Sequence, residues 1–277
     1  MKILVTGANG MLGQDLCPSL EKENFEVLAT DVDTLDITDL SAVEKFFAAN
    51  CADYIVHCAA YTNVDGAEAN PDLAEKINVL GTKNLALMAK KYDIPIIAIS
   101  TDYVFDGSAT TPYTPDCKTC PISVYGKTKL GGELAIQENC KKYYILRTSW
   151  LYGLHGKNFV ETMIKLSQTN DSLKVVDDQV GCPTWTMELV KVIIKVIKEK
   201  FEYGIYHTCG GGSTSWYGFT KEIFRIAGIK TPVYPCTTEE FPRPAKRPKY
   251  SIMNNKGLCR DWKKALDDYM NLRSSKV

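Results

Sequence analysis

Short, unbroken apolar runs alternate with longer stretches whose apolar residues recur every three or four positions, and this rhythm dominates the first half of the chain. The runs are Lys2 to Thr6, Glu26 to Thr30, Tyr54 to Cys58, Pro95 to Ser100 and Tyr143 to Trp150, and their length predicts strands. Between them, amphipathic stretches predict helices: one carrying Leu16 and Leu20, one over Ser41 to Ala49, and a long one from Pro71 to Lys91 with Asn78 in its middle. Strand and helix in alternation predict an α/β fold, a doubly wound parallel sheet of Rossmann type with ligands at the carboxyl ends of its strands.

After Trp150 the rhythm changes. A helix over Asn158 to Gln168 and a strand around Leu173 to Val176 lead to the loop Asp178-Gln179-Val180-Gly181-Cys182-Pro183-Thr184. The helix Met187 to Lys200 is apolar on one face through Leu189, Ile193, Val196 and Ile197, the pattern of packing against a core. A strand over Gly204 to Cys209 follows, then a glycine turn at 210–212, and Ser213 or Ser215 caps a helix reaching Ala227. The basic loop Phe241 to Lys249, stiffened by Pro242, Pro244 and Pro248, suits either a diphosphate or plain solvent.

With 277 residues, 45% of them hydrophobic, the chain can bury the core of one large domain or two modest ones. Its 33 basic and 33 acidic residues cancel, so no overall field gathers nucleic acid or an anionic membrane. The apolar run after Met1 is too short for a signal peptide and no window approaches the roughly 20 apolar residues of a membrane span, so the cytoplasm is the expected compartment. Ten cysteines, mostly in apolar segments, read as reduced thiols. Cys117 and Cys120 have zinc or redox spacing, but with no second pair and no close histidine they carry no metal assignment.

The first strand runs into Gly7-Ala8-Asn9-Gly10-Met11-Leu12-Gly13 and then a helix, the strand, glycine turn and helix of a dinucleotide site. Gly7 permits the tight turn, Gly10 the approach of a pyrophosphate, and Gly13 close packing of helix on strand; Asn9, Met11 and Leu12 border the cofactor with them. Asp31 ends the second strand 18 residues beyond Gly13, where an acid grips the adenosine ribose. It repels a 2′-phosphate, and all six arginines lie at Arg147 or beyond, so NADH is expected in preference to NADPH. Asp36 and Ile37 are placed beside the adenine, and Ala59-Ala60-Tyr61, small residues at a strand end, beside a ribose or the nicotinamide. On this basis residues 1–150 form a dinucleotide-binding domain to which 187–208 return, while 151–186 and 209–277 form a smaller, discontinuous C-terminal substrate lobe.

Tyr125 and Lys129, four apart on a predicted helix, point the same way. An ammonium beside a phenol favours the phenolate, so Tyr125 is expected to exchange a proton with a substrate oxygen near neutral pH, with Lys129 as the tuning charge. Thr101, at a strand end, offers a hydroxyl to the same oxygen. Gly126-Lys127-Thr128 is no phosphate loop, because Pro121 stands where that motif needs a glycine.

Together the glycine turn, Thr101 and Tyr125-x-x-x-Lys129 resemble the extended short-chain dehydrogenase/reductase superfamily. Ser100-Thr101-Asp102-Tyr103-Val104-Phe105-Asp106-Gly107, Val124 to Lys129, Arg147 to Tyr152 and Asp178-Gln179-x-Gly181-x-Pro183-Thr184 narrow the likeness to its dTDP-4-dehydrorhamnose reductase family. The resemblance implies Thr101, Tyr125 and Lys129 as catalytic trio, Lys129 also holding the nicotinamide ribose. It further implies Asp102, Tyr103 and Trp150 in the sugar pocket and Arg247 on the nucleotide diphosphate. The substrate would be a nucleotide sugar with a 4-keto group. Some relatives are magnesium-bridged homodimers; Asp15 and Glu188 fall near their metal-binding acids, but no third acid matches. Dehydratases of the superfamily carry a glutamate where this chain has Tyr103, and relatives that serve as non-catalytic regulatory subunits of methionine adenosyltransferase do not need the trio that is intact here.

Overall fold

The computed structural model describes residues 1–275. Along the chain come β1 (Lys2–Thr6), α1 (Met11–Lys22), β2 (Glu26–Thr30), α2 (Leu40–Ala49), β3 (Tyr54–His57), α3 (Val64–Ala69), α4 (Pro71–Glu75), a π turn (Lys76–Gly81), α5 (Thr82–Lys91), β4 (Ile96–Thr101), α6 (Val124–Asn139) and β5 (Tyr143–Thr148). Beyond them lie β6 (Leu151–Tyr152), α7 (Phe159–Ser167), β7 (Leu173–Val176), β8 (Val180–Gly181), β9 (Thr184–Trp185), α8 (Thr186–Glu199), β10 (Gly204–His207), β11 (Thr214–Ser215), α9 (Trp216–Ala227), β12 (Val233–Cys236) and α10 (Trp262–Ser274).

Six strands form one parallel sheet in the order β10-β5-β4-β3-β1-β2. The chain steps from β1 outward to β2, then returns past β1 to β3, so the winding reverses between β1 and β3 and leaves a crevice at their carboxyl ends. Register keeps those ends level, with Thr6 opposite His57 and Thr101 opposite Thr148.

Side chains alternate across the sheet, and each face has its own helices. Ile3, Val5, Val56 and Leu146 pack on α1 and α8 through Leu12, Leu16, Leu189, Ile193 and Val196. Leu4, Ile55, Ile96 and Ile145 pack on α2, α5 and α6 through Val43, Phe47, Leu85 and Ile136. Each such side chain contributes about 1.5–3 kcal/mol by leaving water, and trimming the fully buried Leu16 to alanine would cost about 2–5 kcal/mol. The apolar stripe of α8 therefore serves the sheet, although its sequence neighbours belong elsewhere.

The single helix expected from Pro71 to Lys91 is interrupted by the π turn. Its cause is Asn78, buried and turned inward: Oδ1 accepts the Tyr61 N–H at 2.8 Å, while Nδ2 donates to the Tyr61 carbonyl at 3.2 Å and to Thr128 Oγ1 at 3.0 Å. A widened turn lets one side chain serve two other segments, a recurrent use of π geometry.

A third apolar cluster holds Tyr152, Val160, Ile164, Trp185, Phe219, Ile223, Trp262, Leu266 and Tyr269. Strand pairs β6 with β9, β7 with β12 and β8 with β11 knit this region together. Of the two serines offered as caps for α9, Ser215 accepts the Gly218 N–H. Helix α10 adds to the predicted elements, its buried Trp262, Ala265, Leu266, Tyr269 and Met270 repeating at helical spacing.

Candidate active site

Gly7 follows β1 at φ +70°, and a Cβ there would lie 2.6 Å from the Ala59 nitrogen, so only glycine lets β1 turn this close to the end of β3. Gly13 meets the same turn from the other side: its Cβ would stand 2.4 Å from the Gly7 carbonyl oxygen. Helix α1 has no side-chain cap at Gly10, which leaves its first amides to meet an anion. Asp31 is held by two backbone donors, Asn9 N–H at 2.9 Å and Val32 N–H at 2.8 Å, one to each oxygen. These features are a cradle whose shape and donors fit a dinucleotide.

They open into a cleft of about 780 Å³, within the range of small-molecule sites. Gly7, Asn9, Gly10, Met11, Leu12, Asp31, Asp36, Ile37, Ala59 and Ala60 line one end, and Thr101, Asp102, Tyr103, Tyr125, Lys129 and Trp150 the other.

Ser123 caps α6 by accepting the Gly126 N–H, and Glu68 accepts the Val124 N–H at 2.9 Å, which fixes the start of the helix that carries Tyr125. Gly126 is needed for position: a Cβ would fall 2.2 Å from the Tyr103 carbonyl oxygen. The rings of Tyr125 and Tyr103 meet edge to face at 5.4 Å. Lys129 Nζ donates to the Ile99 carbonyl at 2.8 Å. The Thr101 hydroxyl donates to Asp102 Oδ1 at 3.0 Å.

Electrostatics here differ from the expectation for Tyr125. Burial pushes its phenol up to about 12, the Thr101 hydroxyl opposing, and burial pushes Lys129 down to about 8, with Glu133 opposing. Desolvation dominates at both groups, so the phenol keeps its proton at neutral pH. Burial also lifts Asp102 to about 6. Beneath Lys129, Glu133 accepts from Arg147 Nε at 2.9 Å and Nη2 at 2.7 Å, a buried ion pair joined by the Ser100 hydroxyl.

Trp150 adopts φ +47°, rare for a bulky residue, and stacks on Trp216 with 3.5 Å between ring centroids. Gly181 leaves room for the indole, since a Cβ there would lie 2.6 Å from it. Trp216 is anchored in turn by Gln179 Oε1, which accepts its indole N–H at 3.2 Å. Two distant motifs of the sequence thus build one aromatic wall.

The sequence model of the RmlD substrate binding domain matches residues 1–273. The chain belongs to that family. It is 52% identical to a dTDP-4-dehydrorhamnose reductase of Clostridium acetobutylicum, whose crystal structure superposes with a TM-score of 0.97 over 99% of this chain and 100% of that one. A dTDP-4-dehydrorhamnose reductase from Bacillus anthracis, solved in complex with NADP, is 40% identical with a TM-score of 0.95 over 98% of this chain and 99% of its own. The dTDP-4-dehydrorhamnose reductase of Streptomyces griseus is 41% identical over 96% of this chain and 91% of its own.

Two of the expected site residues are not among those that line this cleft. Tyr61 is one of them, although Ala60 and Thr62 beside it line the cleft; its N–H and carbonyl are both bonded to Asn78. Arg247 does not line it either: it is bound end-on to Asp65, at 3.1 Å from Oδ1 and 3.0 Å from Oδ2. Several lining residues went unread in the sequence, among them Val32, Cys58, Thr62, Ile77 and Lys157. Of these, Val32, an apolar residue directly after Asp31 and 75% exposed, carries a local signal.

Glu188 is paired with Lys191 at 2.9 Å and Arg260 at 2.8 Å, and Asp15 accepts from Thr186 at 2.5 Å with His155 at 3.4 Å. Among the described residues no group of three or more His, Cys, Asp or Glu side chains is placed to hold a metal. All ten cysteines are free, and no helix of the described residues is long and apolar enough to cross a membrane.

Proposed function

We propose that the protein reduces the 4-keto group of a dTDP-linked deoxysugar, converting dTDP-4-dehydro-L-rhamnose to dTDP-L-rhamnose, with NADH used in preference to NADPH. The observation that carries this reading is that Thr101, Tyr125 and Lys129 share one cleft with the Gly7 to Gly13 turn. A reduced nicotinamide supplies the hydride. Tyr125 holds the matching proton at its phenol oxygen and gives it to the keto oxygen, so a phenol that is protonated at neutral pH suits the reductive direction. Thr101 would turn its hydroxyl from Asp102 to fix that oxygen, and Lys129 would hold the nicotinamide ribose and return a proton toward the phenol. Tyr103 stands edge-on to Tyr125 and narrows the place where the sugar reacts. Trp150, its far face covered by Trp216, offers the other face to the sugar ring.

The cofactor preference rests on Asp31. Its oxygens are pinned by two amides, so the carboxylate cannot swing from a 2′-phosphate, and no arginine among the described residues lines the cleft. Steady-state rates with a panel of nucleotide 4-keto sugars and both cofactors test the whole reading. We expect turnover to be fastest with the dTDP sugar and NADH; no turnover with any 4-keto sugar would overturn the activity, and a higher kcat/KM with NADPH would overturn the role of Asp31.

A further inference from the structure

Asp65 opens α3, on the sheet side of the cleft, yet its partners come from the basic loop almost two hundred residues later in the chain. Oδ2 accepts from Arg243 Nε at 3.0 Å, Arg243 Nη2 at 2.5 Å and Arg247 Nη2 at 3.0 Å; Oδ1 accepts from Arg247 Nη1 at 3.1 Å and from the Ala245 N–H at 3.2 Å. A single carboxylate therefore gathers two guanidinium groups and one amide.

A guanidinium has five N–H donors. Arg247 spends both Nη1 protons, on Asp65 and on the Ala245 carbonyl at 3.0 Å, and one Nη2 proton on Asp65. The Nε proton and the second Nη2 proton remain, and they lie parallel along the side edge of the plane, the arrangement that grips two oxygens of one phosphate. Among the described residues neither meets an acceptor. Without the carboxylate between them, two like charges on a short loop would push apart; with it, the cluster keeps one net positive charge. Val64, next to Asp65 on α3, lines the cleft together with Tyr103, so the cluster borders the cleft. Helix α3 is itself tied to the start of the catalytic helix through Glu68 and the Val124 N–H.

We infer that Asp65 is a positioning residue for the nucleotide diphosphate: it holds Arg247 by the end of its guanidinium so that the side edge is presented to the phosphates. This inference rests on the nucleotide-sugar reading above. It assigns substrate recognition to an acidic residue whose own charge opposes an anionic ligand, and it makes the loop and α3 one recognition unit.

The test is a binding cycle on the full chain, with dTDP and thymidine as probes and NADH as control. Wild type is expected to bind dTDP more tightly than thymidine. Asp65→Asn should weaken dTDP about tenfold or more, the loss of a charge-assisted fork, leave thymidine and NADH affinities within about twofold, and raise the KM of the sugar nucleotide in parallel. Arg247→Lys keeps the charge but has no side edge, and should weaken dTDP similarly. Adding Asp65→Asn to Arg247→Lys should then cost little more, because Asp65 acts through Arg247. Unchanged or tighter dTDP binding in folded Asp65→Asn, or full additivity in the double variant, would overturn the inference; should Asp65→Asn not fold, wild-type dTDP affinity in Arg247→Lys overturns it equally. A wild type that binds no dTDP would instead sink the nucleotide-sugar reading.

Discussion

Replacing Lys129 with methionine should make the folded protein more stable at neutral pH while abolishing turnover. Burial takes the ammonium from its ordinary 10.5 down to about 8. At about 1.4 kcal/mol per pH unit, that drop means the protein spends about 3 kcal/mol to keep Lys129 charged below about pH 8. Methionine has a similar length and no charge to desolvate, but it forfeits the hydrogen bond to the Ile99 carbonyl, ~1.5 kcal/mol for a charged donor. The net gain expected at about pH 7 is therefore ~2 kcal/mol. Between about pH 8 and pH 10.5 the unfolded chain binds a proton that the folded one does not, so wild-type stability rises with pH across this window and the advantage of the variant disappears. Urea unfolding of both proteins at about pH 7 and about pH 10 reads the difference directly. A variant less stable than wild type at neutral pH, or a gain that persists undiminished at the higher pH, would refute the desolvation argument.

Tyr125→Phe removes only the proton donor, so turnover should fall by about 10²–10⁴-fold with NADH binding retained, as fluorescence titration and steady-state rates would show. Gly13→Ala drives a Cβ against backbone that cannot give, 2.4 Å from the Gly7 oxygen, and should cost about 1–3 kcal/mol of stability in urea melts as well as cofactor affinity. Asp102, lifted to about 6 by burial, contributes stability that is intact below about pH 4 and lost as pH rises through about 6. Asp102→Asn should accordingly remove about 3 kcal/mol of pH-dependent stability loss between about pH 4 and pH 8, measured by denaturation at both ends.

What the sequence determined by itself was whatever depends on neighbours along the chain. Apolar runs and helical spacing place the six sheet strands to within a few residues, because alternation and periodicity are set by local backbone geometry. The glycine turn is readable for the same reason, since its conformation is imposed at Gly7 and Gly13 themselves. Tyr125 and Lys129 share a cleft because four residues make about one helical turn. Tertiary structure decided the rest. That Asn78 widens a helix into a π turn depends on Tyr61 and Thr128, segments that meet only in the fold. Arg247 faces Asp65, and Trp150 stacks on Trp216, across gaps that no local pattern encodes. The proton on Tyr125 is the sharpest case: the sequence shows a cation four residues away, but burial of the phenol sets its protonation, and desolvation is a property of everything packed around a residue rather than of its neighbours in the chain.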